Sequence, residues 1–119
     1  MANEIQYTVN LVARKGGASV NPGAISETLT MSGADMIQAT QLIGTSAEAV
    51  TFGEISGAPA VVVIANLDTT NFVTVGFTNP PTEIKILAGG VCLLTPATAN
   101  LYAIADTAAV NILKVAVEA

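Results

Sequence analysis

The densest group of oxygen-bearing side chains is Asn66, Asp68, Thr69, Thr70 and Asn71. A calcium site needs several carboxylates and carbonyls converging from one loop. This stretch offers one carboxylate and no EF-hand register, so an Asx-stabilised hairpin turn is the expectation. Asp106-Thr107 reads the same way, as turn chemistry and not as a metal ligand pair. The acidic residues Glu4, Glu27, Asp35, Glu48, Glu54, Asp68, Glu83, Asp106 and Glu118 are spread almost evenly, mostly at strand ends and turns. No two of them can be nominated as the paired carboxylates of glycoside chemistry.

The chain has no histidine and one cysteine, Cys92. Serine triads, Cys-His dyads and His-ligated metal centres therefore cannot be built. Cys92 lies in the apolar run Val91-Cys92-Leu93-Leu94, with no cation near it in sequence, and is expected to be an inert buried thiol. Gly16-Gly17 and Gly89-Gly90 precede no helix, so neither forms a phosphate-cradling loop. There is no Trp, and Tyr7, Phe52, Phe72, Phe77 and Tyr102 each fall in a strand, where a core role is expected over a sugar platform. No enzyme activity, metal or cofactor is expected.

The elements that would position these residues follow a period of two. Ile5, Tyr7, Val9, Leu11 and Ala13 alternate with Gln6, Thr8, Asn10 and Arg14, interrupted by Val12; this predicts one long strand buried on one face. Gly16-Gly17 and Asn21-Pro22-Gly23 predict loops, with a strand from Ile25 to Met31 after them. Between Asp35 and Ile43, Met36, Ile37, Leu42 and Ile43 fit helix or strand spacing, and Thr40 with the flanking strands favours extended chain. Val50-Thr51-Phe52 reads as a short strand. The β-branched run Ala60 to Ala65 predicts a strand buried on both faces. In Phe72 to Phe77, the even positions Phe72, Thr74 and Gly76 share one face and Val73, Val75 and Phe77 the other. Ile84 to Ile86, Val91 to Leu94, Leu101 to Ala105 and Val110 to Val117 complete the set, with Asp106 to Ala109 short enough for a tight hairpin.

About ten strands punctuated by Gly, Pro and Asn predict an all-β, antiparallel, jelly-roll-like sandwich. The 119 residues leave room for one core, so a single domain over 1–119 with a short arm over 1–4 is expected.

Only 11 % of residues are charged, against roughly 25 % in an ordinary soluble domain. Interface centres are depleted of Lys, Glu and Asp, so this composition points to a surface covered by other chains. Arg14, Lys15, Lys85 and Lys114 form no continuous patch and the net charge is −5, which argues against a nucleic-acid partner. The longest apolar run, Ala60 to Ala65, is far shorter than a membrane span. Met1-Ala2-Asn3-Glu4 lacks the features of a signal peptide, so synthesis in a cytoplasm, with the chain remaining soluble, is expected.

Two blocks carry a resemblance. Asn66-Leu67-Asp68-Thr69-Thr70-Asn71-Phe72-Val73-Thr74-Val75-Gly76 is followed, after Ile84-Lys85-Ile86 and Val91-Cys92-Leu93-Leu94, by Leu101-Tyr102-Ala103-Ile104-Ala105-Asp106-Thr107-Ala108-Ala109-Val110. Their order, with the initial Ala-Asn-Glu-Ile-Gln-Tyr strand, resembles small β-sandwich virion structural proteins of tailed bacteriophages, and covers about half the chain. The resemblance implies a capsid cement or decoration subunit that bridges shell proteins on the virion surface, as a closed homo-oligomer, commonly a trimer. A tail, neck or head-fibre module contacting other virion proteins or the host surface is the alternative. The interface candidates are the arm Met1, Ala2, Asn3 and Glu4, then the apolar positions Val12, Val73 and Val75 as side chains turned away from the core.

Overall fold

The computed structural model describes residues 4–119. The chain divides after Ser32 into two compact units, where the sequence separates only residues 1–4 from the body.

The first unit is a pair of nested antiparallel ribbons. Strand β1 (Ile5–Val9) pairs with β4 (Ile25–Leu29), and β2 (Ala13–Lys15) pairs with β3 (Ala18–Val20). Lys15 opposes Ala18, so Gly16-Gly17 is a two-residue hairpin loop, and both glycines have positive φ, 56° and 87°. That is the requirement of a type I′ turn, whose twist matches the strands beside it. The expected single strand over Ile5 to Ala13 is interrupted at residues 10–12, where Val12 breaks the alternation. The facing residues 21–24 contain Pro22, which has no N–H to donate, and Gly23 at φ 80°.

The second unit is built from eight strands: β5 (Met36–Ile43), β6 (Glu48–Ala49), β7 (Pro59–Asn66), β8 (Val73–Gly76), β9 (Ile84–Ile86), β10 (Val91–Leu94), β11 (Tyr102–Ala105) and β12 (Val110–Glu118). They form two four-stranded antiparallel sheets in the orders β10-β7-β12-β5 and β6-β11-β8-β9. Successive strands alternate between the sheets except at the β8–β9 hairpin, and the first strand lies beside the last. This is jelly-roll topology. The ambiguous stretch before Ile43 is extended, paired with β12 through eight residues from Val110↔Ile43 to Val117↔Met36.

One apolar layer fills the space between the sheets. Ile43, Val62, Ile64, Val110, Ile112 and Ala116 supply it from one sheet, and Val73, Val75, Ile86, Ala103 and Ala105 from the other. Leu101 and Val50 close it at one end, and the Val50 N–H is bonded to the Leu101 carbonyl at 2.8 Å. Val50-Thr51-Phe52 is accordingly not a ladder strand; the paired residues are Glu48 and Ala49.

Two expectations are corrected here. Val73 and Val75 are fully buried, because Val73 faces Ala105 and Ile86 across the ladders and Val75 faces Ala103 and Ile84. The outward side of β8 is Thr74 and Gly76. Neither the 66–71 loop nor the 106–109 loop closes a hairpin: each carries the chain from one sheet to the other.

Parity along β12 has a measurable consequence. Ile112 is fully buried between the sheets, whereas its neighbour Leu113 points to the opposite side and is half-buried. Ile112→Ala should cost about 2–5 kcal/mol in urea unfolding, and Leu113→Ala clearly less. Equal losses would contradict the assigned facing.

Candidate interaction surfaces

The polar loops that invite a chemical reading are consumed by the fold. Asn66 is buried; its Nδ2 donates to the carbonyls of Asn71 and Ile86, both at 3.0 Å, and its Oδ1 accepts the Asp68 N–H at 2.9 Å. Asp68 Oδ2 accepts the N–H groups of Thr70 at 3.0 Å and Asn71 at 2.6 Å. Those backbone bonds, Asn71 first, hold the Asp68 carboxyl below its ordinary value. The Asx turn is therefore present, spanning a crossover. Thr107 Oγ1 donates to Asn71 Oδ1 at 3.1 Å, and the Asp106 N–H donates to the Phe72 carbonyl at 3.2 Å. The two blocks that carry the resemblance thus lie side by side, as loops joined by these bonds and as paired strands β8 and β11.

Gly76 ends the first block for a steric reason. A Cβ there would overlap the Glu83 carboxylate. That carboxylate accepts the Phe77 N–H at 3.1 Å and the Thr78 hydroxyl at 3.0 Å. Among the described residues no group of three or more His, Cys, Asp or Glu side chains converges as metal ligands would. Cys92 is half-buried, and burial pushes its thiol pKa up, which keeps it neutral.

One buried polar cluster escaped the sequence reading. Lys114 is 5 % exposed, and its Nζ donates to Gln41 Oε1 at 2.8 Å and Thr51 Oγ1 at 2.7 Å. Gln41 Nε2 donates to the Ala49 carbonyl at 3.0 Å and to Glu48 Oε1 at 3.3 Å, and Gln41 Oε1 accepts the Thr51 N–H at 3.2 Å. Glu48 Oε2 takes the Gly44 N–H at 3.1 Å. The cluster ties β5 and β12 to the segment 44–51. Its signal lay in parity: Lys114 follows Val110 and Ile112 on the inward side of β12, and faces Ala39, beside Gln41 on the inward side of β5.

The surfaces free to meet another molecule are apolar. In the first unit, Ile5, Tyr7 and Val9 share a ribbon side with Ile25, Glu27 and Leu29, while Gln6, Thr8, Ser26 and Thr28 take the other. Thr8 and Ser26 bond to each other at 3.1 Å on that polar side. Ile5 is buried, but Val9 and Ile25 are exposed, and further along Leu11 is 63 % exposed, with Val12 and Val20 about half exposed. Val12 is therefore accessible, as its selection as an interface candidate requires. Glu4 is exposed, its Oε1 accepting the Met31 N–H at 3.1 Å. Met1, Ala2 and Asn3 lie outside the described residues.

In the second unit, the outer side of the sheet β10-β7-β12-β5 carries Val91, Val63, Ala65, Leu113, Val115 and Leu42 with no charged residue among its outward positions. Of the run Ala60 to Ala65, expected to be buried on both faces, Val62 and Ile64 are buried on the inner side, while on the outer side Val61 is buried and Val63 and Ala65 are half-covered. The outer side of the other sheet is mixed, with the Lys85 ammonium 3.9 Å from the centre of the Phe72 ring.

Burial without a facing carboxylate bond holds the Lys114 pKa below the ordinary 10.5. The unfolded chain then binds this proton more tightly, so the burial cost is full below the lowered folded value and fades as pH rises through it towards 10.5. Unfolding free energies of the wild type and Lys114→Met, compared at about pH 7 and about pH 10, should shift in the wild type's favour at the higher pH. A difference independent of pH would contradict the burial argument.

No protein-family model matches the chain, and neither a curated protein nor a solved structure matches it.

Proposed function

We propose that this chain is a virion structural protein of a tailed bacteriophage, a cement or decoration subunit that binds shell proteins and stabilises the capsid. The observation that carries the reading is the exposed apolar side chains of the first unit: Val9 and Ile25 on the amphipathic ribbon of β1 and β4, with Leu11, Val12 and Val20 beyond it. A two-stranded ribbon is marginal in water by itself. One whose apolar side leaves Val9 and Ile25 exposed gains less from folding, and a partner surface that covers them makes up part of the deficit. The ribbon thereby enlarges the role expected of the arm Met1–Glu4.

Three further features support the reading. The low charge of the chain fits a subunit whose surface is largely covered. Jelly rolls serve as viral capsid domains, as well as lectins and cupins. The two sequence blocks form adjacent elements, which is consistent with their resembling one family of virion proteins as a unit. In this account the function is mechanical: each subunit bridges neighbours, and many modest contacts add through multivalency. Copies of the chain and shell proteins are the partners, and the virion surface is the location.

The test is co-sedimentation of the purified full-length chain with capsids lacking it. Wild-type protein should pellet with the particles, and Leu11→Asp with Val12→Asp should lose at least about tenfold in affinity, the equivalent of 1.4 kcal/mol, with an unchanged melting curve. Adsorption of labelled protein to host cells, with no binding to capsids, would overturn the cement reading in favour of a tail or fibre module. Equal binding by the variant would remove the ribbon from the interface.

A further inference from the structure

We propose that the side chains of Lys114 and Gln41 join in an isopeptide bond, formed by the chain itself with Glu48 carrying the proton. Lys114 and Gln41 are diagonal neighbours on the inward side of the β12–β5 pair, since Lys114 faces Ala39 and Gln41 faces Ile112. Long side chains at such positions can touch. Lys114 Nζ is 2.8 Å from Gln41 Oε1. A C=O bond is about 1.2 Å long, so Nζ stands no more than about 4 Å from Cδ, the carbon it would attack. A buried ammonium ordinarily faces a carboxylate. Here Nζ is bonded to two neutral oxygens, Gln41 Oε1 and Thr51 Oγ1, and the neighbouring carboxylate, Glu48, is bonded to the amide instead.

The amide is held in place for attack. Its Nε2 donates to the Ala49 carbonyl at 3.0 Å and its Oε1 accepts the Thr51 N–H at 3.2 Å, which fixes the amide plane and tells its two ends apart. The Thr51 N–H also polarises the C=O and remains to stabilise the oxyanion that attack creates. Burial of Lys114 favours the neutral amine, the form with a free lone pair. Loss of the proton donated to Oε1 leaves that lone pair pointing at the same carbonyl group. Glu48 Oε1 is 3.3 Å from Nε2, the nitrogen that must leave, and Glu48 Oε2 is anchored by the Gly44 N–H at 3.1 Å.

The step balances without a co-reactant. Nζ gives one proton to water and attacks Cδ, forming the Nζ–Cδ bond. One of its two remaining hydrogens passes by way of the Glu48 carboxylate to Nε2, the Cδ–Nε2 bond breaks, and ammonia leaves to take up the first proton in water. A lysine ammonium and a primary amide thus become a secondary amide and an ammonium ion, and nothing is oxidised or reduced. Gln41 and Glu48 are half-buried, which leaves ammonia a way out. Only the paired strands bring the groups together, so the bond follows folding, and a newly folded chain still holds the free amine whose titration is described above. The consequence is mechanical. Strand β5 is an edge strand, paired in its sheet with β12 alone, and the chain enters it from the unit that ends at Ser32. A load on that unit reaches β5 first, and a covalent tie to β12 keeps β5 from peeling away. The bond is independent of the capsid reading, and either can fail without the other.

The experiment is intact-mass spectrometry of the purified full-length chain, at once and after several days in buffer. Wild-type protein should become lighter by one ammonia, and trypsin should leave peptides 16–85 and 86–119 joined to each other and uncut after Lys114. Lys114→Met should keep its full mass. Glu48→Gln, with an unchanged circular dichroism spectrum, should form the bond about a hundredfold more slowly, the lower end of what a positioned proton carrier contributes. Wild-type protein that retains its full mass and yields separate peptides would overturn the proposal. So would an ammonia loss that persists in Lys114→Met, which would place it at another amide. An equal rate in Glu48→Gln would overturn the part assigned to Glu48.

Discussion

The second unit depends on one constraint: every strand must turn an apolar side towards a layer only two sheets thick. Ile43, Val62, Ile64, Val73, Val75 and Ile112 have no exposed surface, and together they fix which side of four different strands is inside. A slip of one residue in any ladder would bring Thr40, Val63 or Thr74 inward and disrupt contacts across the gap. The register of each strand is therefore set by the layer as much as by its own hydrogen bonds. The long pairing of β5 with β12 supplies the frame on which the shorter strands are laid.

Polar groups complete what the apolar layer begins. Asn66 saturates its amide at the point where β7 leaves its sheet, and Asp68 and Thr107 hold the neighbouring crossovers in place. Glu118 does comparable work at the end of the last strand, accepting N–H groups of Ser56 at 2.9 Å and Ala34 at 3.1 Å. These bonds draw its carboxyl below the ordinary value, Ser56 contributing most. The acidic residues that give the chain its negative charge are thus partly occupied in turns. Outside the core, exposed apolar side chains collect on two surfaces: the ribbon side, which also carries Glu27, and the outer side of the sheet β10-β7-β12-β5.

Much of this was legible in the sequence, and the failures have physical reasons. The alternation of Ile5, Tyr7 and Val9 announced a one-sided strand, and the run at Ala60 announced a strand buried on both faces, which on the outer side holds at Val61 but only partly at Val63 and Ala65. The sheet to which each strand belongs was not legible at the turns. An Asx turn at Asn66 to Asn71 has the same chemistry whether the next strand returns beside the last or crosses the core. Val73 and Val75 were assigned outward because apolar residues occur on both sides of Phe72 to Phe77; only the facing residues on β9 and β11 decide the parity. Lys114 was passed over because a lysine reads as solvated, although its position in the alternation placed it inside. Nothing in the sequence indicated that the first two long strands pair only with each other.

The central claim is that apolar surface outside the core is surface for assembly. Hydrogen–deuterium exchange over residues 5–29, in the free chain and on capsids, tests it most directly, since amides of a two-stranded ribbon open readily until something covers them. The account predicts rapid exchange in the free chain and strong protection on the particle. Equal exchange in the two states, with the chain demonstrably bound, would contradict it.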